Sequence, residues 1–156
     1  MQIILKTLFV GAVLAIASGA ALAADPAIGT WKLNLAKSTF SPGPAPKSQT
    51  RSYVESAQGT TLTVKTTDAD GKESVTTLTF KVDGKPYPVS GNPDFDMVSV
   101  TQVDASTVHS TQTKAGATVG SGVRTVSKDG KTLTFKQRGM HAGGGRYDDV
   151  SVYDRQ

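Results

Sequence analysis

Apolar and polar residues alternate along most of the chain, over short spans rich in Thr, Val, Ser and Gly. A period of two is typical of strands that bury one face and expose the other. Beyond residue 23, no long stretch has the three-to-four-residue spacing of an amphipathic helix. The alternation predicts nine strands, at residues 29–34, 50–55, 60–67, 74–82, 96–103, 107–114, 118–126, 131–138 and 147–154.

Three nearly identical pentapeptides, Thr-Leu-Thr followed by Val or Phe and then Lys, begin at Thr61, Thr77 and Thr132. On a strand, the Leu and the Val or Phe share one face, while both Thr and the Lys share the other. We expect the apolar face to be buried and the other face to meet water. A membrane-spanning barrel needs an apolar outer face with aromatic girdles, so we expect no membrane insertion.

Asp-Gly pairs mark tight hairpin turns at Asp70-Gly71, Asp83-Gly84 and Asp129-Gly130. Sequential hairpins between short strands predict an all-β domain whose edge strands must be hidden. This favours a closed, antiparallel up-and-down β-barrel of about 8–10 strands, with a β-sandwich as the alternative.

Three segments interrupt the alternation. Residues 41–46 contain three prolines and are expected to form an extended connection. Residues 85–94 also contain three prolines and are expected to form a long, stiff loop. Residues 139–146 contain three consecutive glycines and are expected to form an irregular, mobile loop. Such loops frame a binding site at one end of a barrel or serve only as connectors.

The N-terminus has the pattern of a secretory signal peptide, with Lys6, an apolar run at residues 7–17 and Ala21-Leu22-Ala23. The apolar run is too short to span a bilayer. Cleavage near Ala23 would leave one domain, residues 24–156, in the periplasm or outside the cell. The chain has no cysteine, which excludes disulfides and thiolate metal sites.

The charge pattern and the acidic motifs argue against nucleic acids and metals as partners. The net charge is +4, and Lys and Arg form no basic stripe, so we expect no nucleic-acid binding. Asp68 and Asp70 resemble the start of a calcium loop, but the alignment puts threonines where the loop requires its first and last carboxylates. His141 with Asp148 and Asp149 is a weak metal candidate, and we expect no metal site.

The residues needed for catalysis are also scarce. The chain has two histidines and lacks the Gly-x-Ser-x-Gly elbow of many hydrolases. His109 alternates with Val108 and is expected to face water, and His141 adjoins the glycine-rich loop. We therefore expect no enzymatic activity, no catalytic residue and no cofactor. An enzyme is the third-ranked hypothesis, to be tested by replacing either histidine.

The most informative motif is Gly29-Thr30-Trp31, which places the lone Trp on the first strand. We expect the indole to fill one end of the barrel and to stack beneath a basic side chain. Arg155 is the predicted partner, because the first and last strands meet when a meander closes. Gly29, Trp31 and Arg155 are therefore predicted structural residues.

Gly-x-Trp on the first strand, residues 127–134 and the ending Val152-Tyr153-Asp154-Arg155 resemble the calycin group, especially small secreted bacterial lipocalin-like proteins. The resemblance covers nearly all of residues 24–156 and implies a barrel with an apolar cavity for a small hydrophobic molecule.

Two departures concern the fatty-acid-binding proteins of this group, which have a helical lid after the first strand and an Arg-x-Tyr carboxylate clamp on the last. Here prolines replace the lid, and Ser151-Val152-Tyr153 retains only the tyrosine of the clamp. A neutral or differently anchored ligand, or no ligand, fits the sequence equally well.

Extending the buried phase of each strand gives eight candidate ligand-binding side chains: Phe80, Val98, Val100, Ser110, Gln112, Phe135, Gln137 and Tyr153. Their polar members either orient a ligand or bind each other and trapped water. Arg51 and Tyr53 share a strand face and offer a charged anchor, although a strand arginine more often faces water.

The leading hypothesis is an exported, non-catalytic carrier of a small hydrophobic molecule. The alternative is a module with a solid interior that recognises a protein or glycan through surface loops. A cavity of a few hundred cubic ångströms favours the carrier, and large side chains meeting across the barrel favour the module. The sequence identifies neither the ligand nor the oligomeric state.

Overall fold

A computed structural model describes residues 24–156, so the predicted signal peptide lies outside the described residues. This part of the chain contains ten strands and one turn of 3-10 helix, Leu35–Lys37. The strands are β1 (Gly29–Leu33), β2 (Ser48–Ser56), β3 (Gly59–Thr67), β4 (Glu73–Phe80), β5 (Asp83–Ser90), β6 (Met97–Gln102), β7 (Thr107–Lys114), β8 (Ala117–Val126), β9 (Thr132–Met140) and β10 (Arg146–Arg155). No helix within residues 24–156 has the length and apolar character needed to cross a bilayer.

Every strand pairs antiparallel with the next strand in the sequence, and β1 also pairs with β10. The pairing between β1 and β10 places Trp31 opposite Arg155 and Leu33 opposite Tyr153. This contact closes the sheet on itself. The structure is therefore a closed up-and-down barrel, which confirms the predicted fold class over the β-sandwich.

The three repeated pentapeptides follow the predicted alternation. Leu62, Leu78 and Leu133 are buried in the core, whereas their threonine neighbours lie on the other face. Thr61 and Thr79 share a hydrogen bond of 2.8 Å between their hydroxyl groups across β3 and β4. The apolar face of these strands thus lines the inside of the barrel.

The prediction that residues 85–94 form a loop is wrong for most of that segment, because Asp83–Ser90 forms β5. The amide of Val89 donates to the carbonyl of Asp96, on the β6 side. Amide directions alternate along a strand, so the nitrogens of Pro86 and Pro88, which carry no hydrogen, face β4. There β5 pairs only at Val89 and Ser90, so the prolines interrupt little of the ladder.

The irregular segment predicted at residues 139–146 is shorter in the structure. Gly139 and Met140 continue β9, and Arg146 begins β10, with Arg146 opposite Met140. Only residues 141–145 form the turn. The predicted irregular segment is too long at both ends, because the pairing of β9 with β10 continues through Gly139 and Met140 on one side and Arg146 on the other.

One end of the barrel is closed around Trp31, which is fully buried. The indole Nε1 donates to the carbonyl of Ala27 at 2.7 Å. The guanidinium carbon of Arg155 lies 4.1 Å from the centre of the indole ring, which is the predicted pairing. Nη1 of Arg155 also donates to the carbonyl of Ile28. Residues 25–28 thus cross the end of the barrel and cover its core.

The absence of a side chain at Gly29 leaves room for Arg155 to stack on Trp31. Its φ of +126° is a backbone conformation that side chains disfavour, and a Cβ there would lie 2.8 Å from Nη1 of Arg155. A glycine two residues before the tryptophan therefore leaves room for the arginine that stacks on it.

We expect Trp31→Ala to lower the free energy of unfolding by about 3–5 kcal/mol, because it removes the largest buried side chain of the closed end. Urea unfolding followed by far-UV circular dichroism measures this, since the variant has no tryptophan to report by fluorescence. Val54→Ala is the matched control, because Val54 is 58% exposed; it should change stability by less than about 0.5 kcal/mol. A loss below about 1 kcal/mol in Trp31→Ala would contradict the proposed closure.

Candidate functional site

The barrel encloses a cavity of about 630 Å³. This volume lies within the range of roughly 300–1,000 Å³ found for small-molecule sites. Apolar side chains from five strands and one turn form much of its wall: Leu62, Val64, Leu78, Phe80, Phe95, Val98, Val100, Val108 and Phe135. A hydrophobic molecule in this space would be removed from water on most of its surface.

The cavity reaches the surface at the end opposite Trp31. Its lining there includes Lys72, Asn92 and His141, which belong to the turns after β3, β5 and β9. Nδ1 of His141 lies 3.0 Å from a carboxylate oxygen of Asp94, and the other oxygen of Asp94 accepts from the amide of Ala142 at 2.8 Å. These contacts join two of the turns at the rim. His141 therefore pairs with Asp94 rather than with Asp148 or Asp149.

Seven of the eight predicted ligand-binding residues line this cavity: Phe80, Val98, Val100, Ser110, Gln112, Phe135 and Gln137. Tyr153 is fully buried but lies outside the lining. Its hydroxyl accepts a hydrogen bond of 3.1 Å from Nε of Arg51 and donates to Oε1 of Gln49. Tyr153 thus contacts the interior through Arg51. Ligand binding by all eight residues stays a prediction.

The inward polar residues partly bind each other. Nε2 of Gln112 donates to Oγ of Ser110 at 3.2 Å, and Ser110 donates to the carbonyl of Gly122 at 3.3 Å. Oε1 of Gln112 is buried and accepts no hydrogen bond from the described residues. Gln137 donates to Asp149 at 3.4 Å. One acceptor of this set, on Gln112, is thereby left for water or a ligand.

Of the two alternatives for Arg51, the structure shows the inward one. Arg51 is 8% exposed and lines the cavity. Its guanidinium carbon lies 4.2 Å from the ring centre of Phe135 and 5.3 Å from that of Tyr153. Nη1 donates to the hydroxyl of Tyr53 at 3.4 Å. Arg51 therefore lies among aromatic rings, which favour a desolvated cation by about 2 kcal/mol.

Arg51 has no acidic partner within residues 24–156. The ion pairs found there join Lys37 to Asp154, Arg124 to Asp25 and His141 to Asp94. Burial disfavours the charged guanidinium, but the phenolic oxygens of Tyr153 and Tyr53 outweigh burial and raise the pKa of Arg51 above its ordinary value. Arg51 thus stays protonated, and no carboxylate of the described residues lies within 4 Å to balance its charge.

Arg124 is a second buried arginine of the interior, and the sequence reasoning missed it. It is 3% exposed, and Nη2 donates to both carboxylate oxygens of Asp25 at 2.8 Å each. Its Nε and Nη1 are buried and make no hydrogen bond with the described residues. The strand alternation could have identified it, because Arg124 lies at a spacing of two from Gly122 and Val126, which face the interior from β8.

Comparison of the sequence with protein-family models and with curated proteins finds no match. The closed, all-antiparallel barrel of ten strands is consistent with the lipocalin-like architecture that the sequence resemblance implies. The connection after β1 contains the single turn Leu35–Lys37 and a bridge from Thr39 to Val150. The helical lid of the fatty-acid-binding proteins has no counterpart in this connection.

We expect Asp25→Asn to destabilise the protein by about 3 kcal/mol, because it leaves Arg124 buried without a counter-charge. The exposed pair of Lys37 and Asp154 supplies the control, with side chains 57% and 44% exposed. Lys37→Ala should cost less than about 1 kcal/mol. Urea unfolding measures both changes.

A double variant tests the cause of that loss. Adding Arg124→Met to Asp25→Asn removes the unpaired charge and should restore most of the lost stability. If the double variant is as unstable as Asp25→Asn alone, the loss comes from the N-terminal segment itself and the ion pair is not its source.

Proposed function

We propose that this protein is an exported, non-catalytic carrier that binds a small hydrophobic molecule inside its barrel. The observation that carries the proposal is the cavity of about 630 Å³ behind a largely apolar wall. Burial of apolar surface is the main driving force for binding in such a site.

The same cavity argues against the alternative, a solid module that acts through its loops. A solid interior needs large side chains that meet across the barrel. Here Phe80, Phe135 and Tyr53 lie on strands around the wall and line one continuous space. The interior volume is therefore better explained by a guest molecule than by self-packing.

The shape of the barrel supports a single route for entry. Residues 25–28 and Trp31 cover one end, where Ala27 and Trp31 are fully buried. At the other end, exposed Lys72 and His141 border the cavity. A ligand would enter between the turns after β3, β5 and β9 and would move toward the closed end.

Two further points support the non-catalytic and exported parts of the proposal. Ser110 is a buried hydroxyl group that lines the cavity, and its hydrogen-bond partners are Gln112 and a backbone carbonyl, neither of which acts as a base. Export rests on the apolar run and Ala21-Leu22-Ala23 of the N-terminus.

Binding can be tested with N-phenyl-1-naphthylamine, a neutral dye whose fluorescence rises in apolar surroundings. We expect saturable binding of one dye per barrel. Val100→Phe should weaken it at least tenfold, because the added ring occupies the cavity that Val100 lines. Thr101→Phe is the matched control, since Thr101 is the next residue on β6 and is exposed.

The two variants together decide the proposal. Equal binding by Val100→Phe, Thr101→Phe and the unmodified protein would place the dye outside the barrel and would contradict an interior site. Native mass spectrometry of protein purified without detergent provides a second readout, since a carrier would retain a defined added mass that is lost on denaturation.

A further inference from the structure

The two buried arginines of the interior differ in how their charges are compensated. Arg124 has a carboxylate from the chain itself, with both oxygens of Asp25 at 2.8 Å. Among residues 24–156, Arg51 donates hydrogen bonds to the phenols of Tyr53 and Tyr153 and stacks on the ring of Phe135, with no carboxylate beside it. A buried cation without a counter-ion is unfavourable, so one negative charge is missing from this end of the cavity.

The hydrogen-bonding groups of Arg51 show where that charge would lie. A guanidinium has five N–H groups, and Arg51 uses one on Nε and one on Nη1. Its Nη2 makes no hydrogen bond with the described residues. Because Arg51 lines the cavity, its free donors are available to a molecule bound there.

The guanidinium is also held in place. Phe135 lies against Arg51, with 4.2 Å between the guanidinium carbon and the ring centre. The ring in turn lies on Gly122, where a Cβ would come within 2.6 Å of the Cζ of Phe135. A glycine in the barrel wall thus lets the ring lie flat beneath the guanidinium. The free donors are therefore preorganised, which lowers the entropic cost of binding.

We propose that the ligand carries a carboxylate and that Arg51 binds it near the closed end of the barrel. This inference rests on the proposed interior binding function. The planar fork of a guanidinium matches a carboxylate in a bidentate arrangement, and the apolar wall suits the rest of the molecule. The ligand class is thus a hydrophobic monocarboxylate.

The depth of Arg51 fixes the orientation of this ligand. Arg51 lies opposite Trp31 in the pairing of β1 and β2, at the covered end of the barrel. Asp149 also lines the cavity, but Gln137 and the amide of Ser41 bind its carboxylate. The carboxylate of the ligand therefore enters first, and its apolar part extends toward the rim at Lys72 and His141.

Matched ligands test the charge. Displacement of N-phenyl-1-naphthylamine by dodecanoate and by methyl dodecanoate, measured at neutral pH, compares one apolar chain with and without a negative charge. We expect dodecanoate to bind at least tenfold more tightly. Arg51→Met should abolish that preference while methyl dodecanoate binds as before, and Arg51→Lys should retain part of it.

Arg138→Met is the control variant, since Arg138 is exposed on β9 and carries the same charge outside the cavity. It should leave the preference unchanged. If Arg138→Met lowers the affinity for dodecanoate as much as Arg51→Met does, the effect comes from the overall charge of the protein, and Arg51 is not the binding residue.

A measurement on the unmodified protein keeps the proposal testable if Arg51→Met fails to fold. The carbon-13 signal of dodecanoate labelled at its carboxyl carbon follows the protonation of the bound ligand. A carboxylate at Arg51 stays ionised to a lower pH than free dodecanoate. A bound carboxyl pKa equal to or above that of free dodecanoate would overturn the assignment.

The outcomes separate this inference from the proposed function. Equal affinity for dodecanoate and its methyl ester would refute the carboxylate site and leave interior binding intact. Failure of the dye and both compounds to bind would refute interior binding, and the carboxylate site with it.

Discussion

Closure of the sheet at the contact between β1 and β10 is the constraint on which the rest of the structure depends. Without it, the ten strands would present two open edges and no interior. The paired stretch is short, from Trp31 opposite Arg155 to Leu33 opposite Tyr153. It is reinforced by the stack of Arg155 on Trp31 and by Thr39, whose amide donates to Val150 further along β10. The fold, the covered end and the cavity therefore all depend on the pairing of β1 with β10.

The interior retains polar groups that a packed core would replace with hydrophobic ones. Within residues 24–156, the guanidiniums of Arg51 and Arg124 are desolvated, and of these two only that of Arg124 is paired with a carboxylate. Replacing such groups with apolar side chains of similar volume often increases stability. A cavity of about 630 Å³ also forgoes the contacts that a filled interior would make. Both features lower the stability of the empty barrel. A ligand bound in the cavity would compensate for both, so the two features support the same proposal of an interior binding site.

The sequence was sufficient for the barrel because strands with one buried face carry a local signal. Leu62, Leu78 and Leu133 could be assigned to the interior from alternation alone. The signal failed at β5, where Pro86 and Pro88 argue against a strand unless the neighbouring pairing is known to be incomplete. Arg124 was missed because charged residues are expected at the surface. Its partner Asp25 lies 99 residues away in the sequence, so only the closed fold brings the two together.

The two ends of the barrel have different chemistry, and this difference gives the cavity a direction. At the closed end, Arg51 provides a positive charge with free donors, set against the aromatic ring of Phe135. At the open end, His141 and Asp94 bind each other, and Lys72 borders the cavity from an exposed turn. Between them the wall is mostly apolar. A molecule with one negatively charged end would therefore bind with that end at Arg51, because the reverse orientation would place an apolar group against the guanidinium and leave Arg51 without a counter-ion.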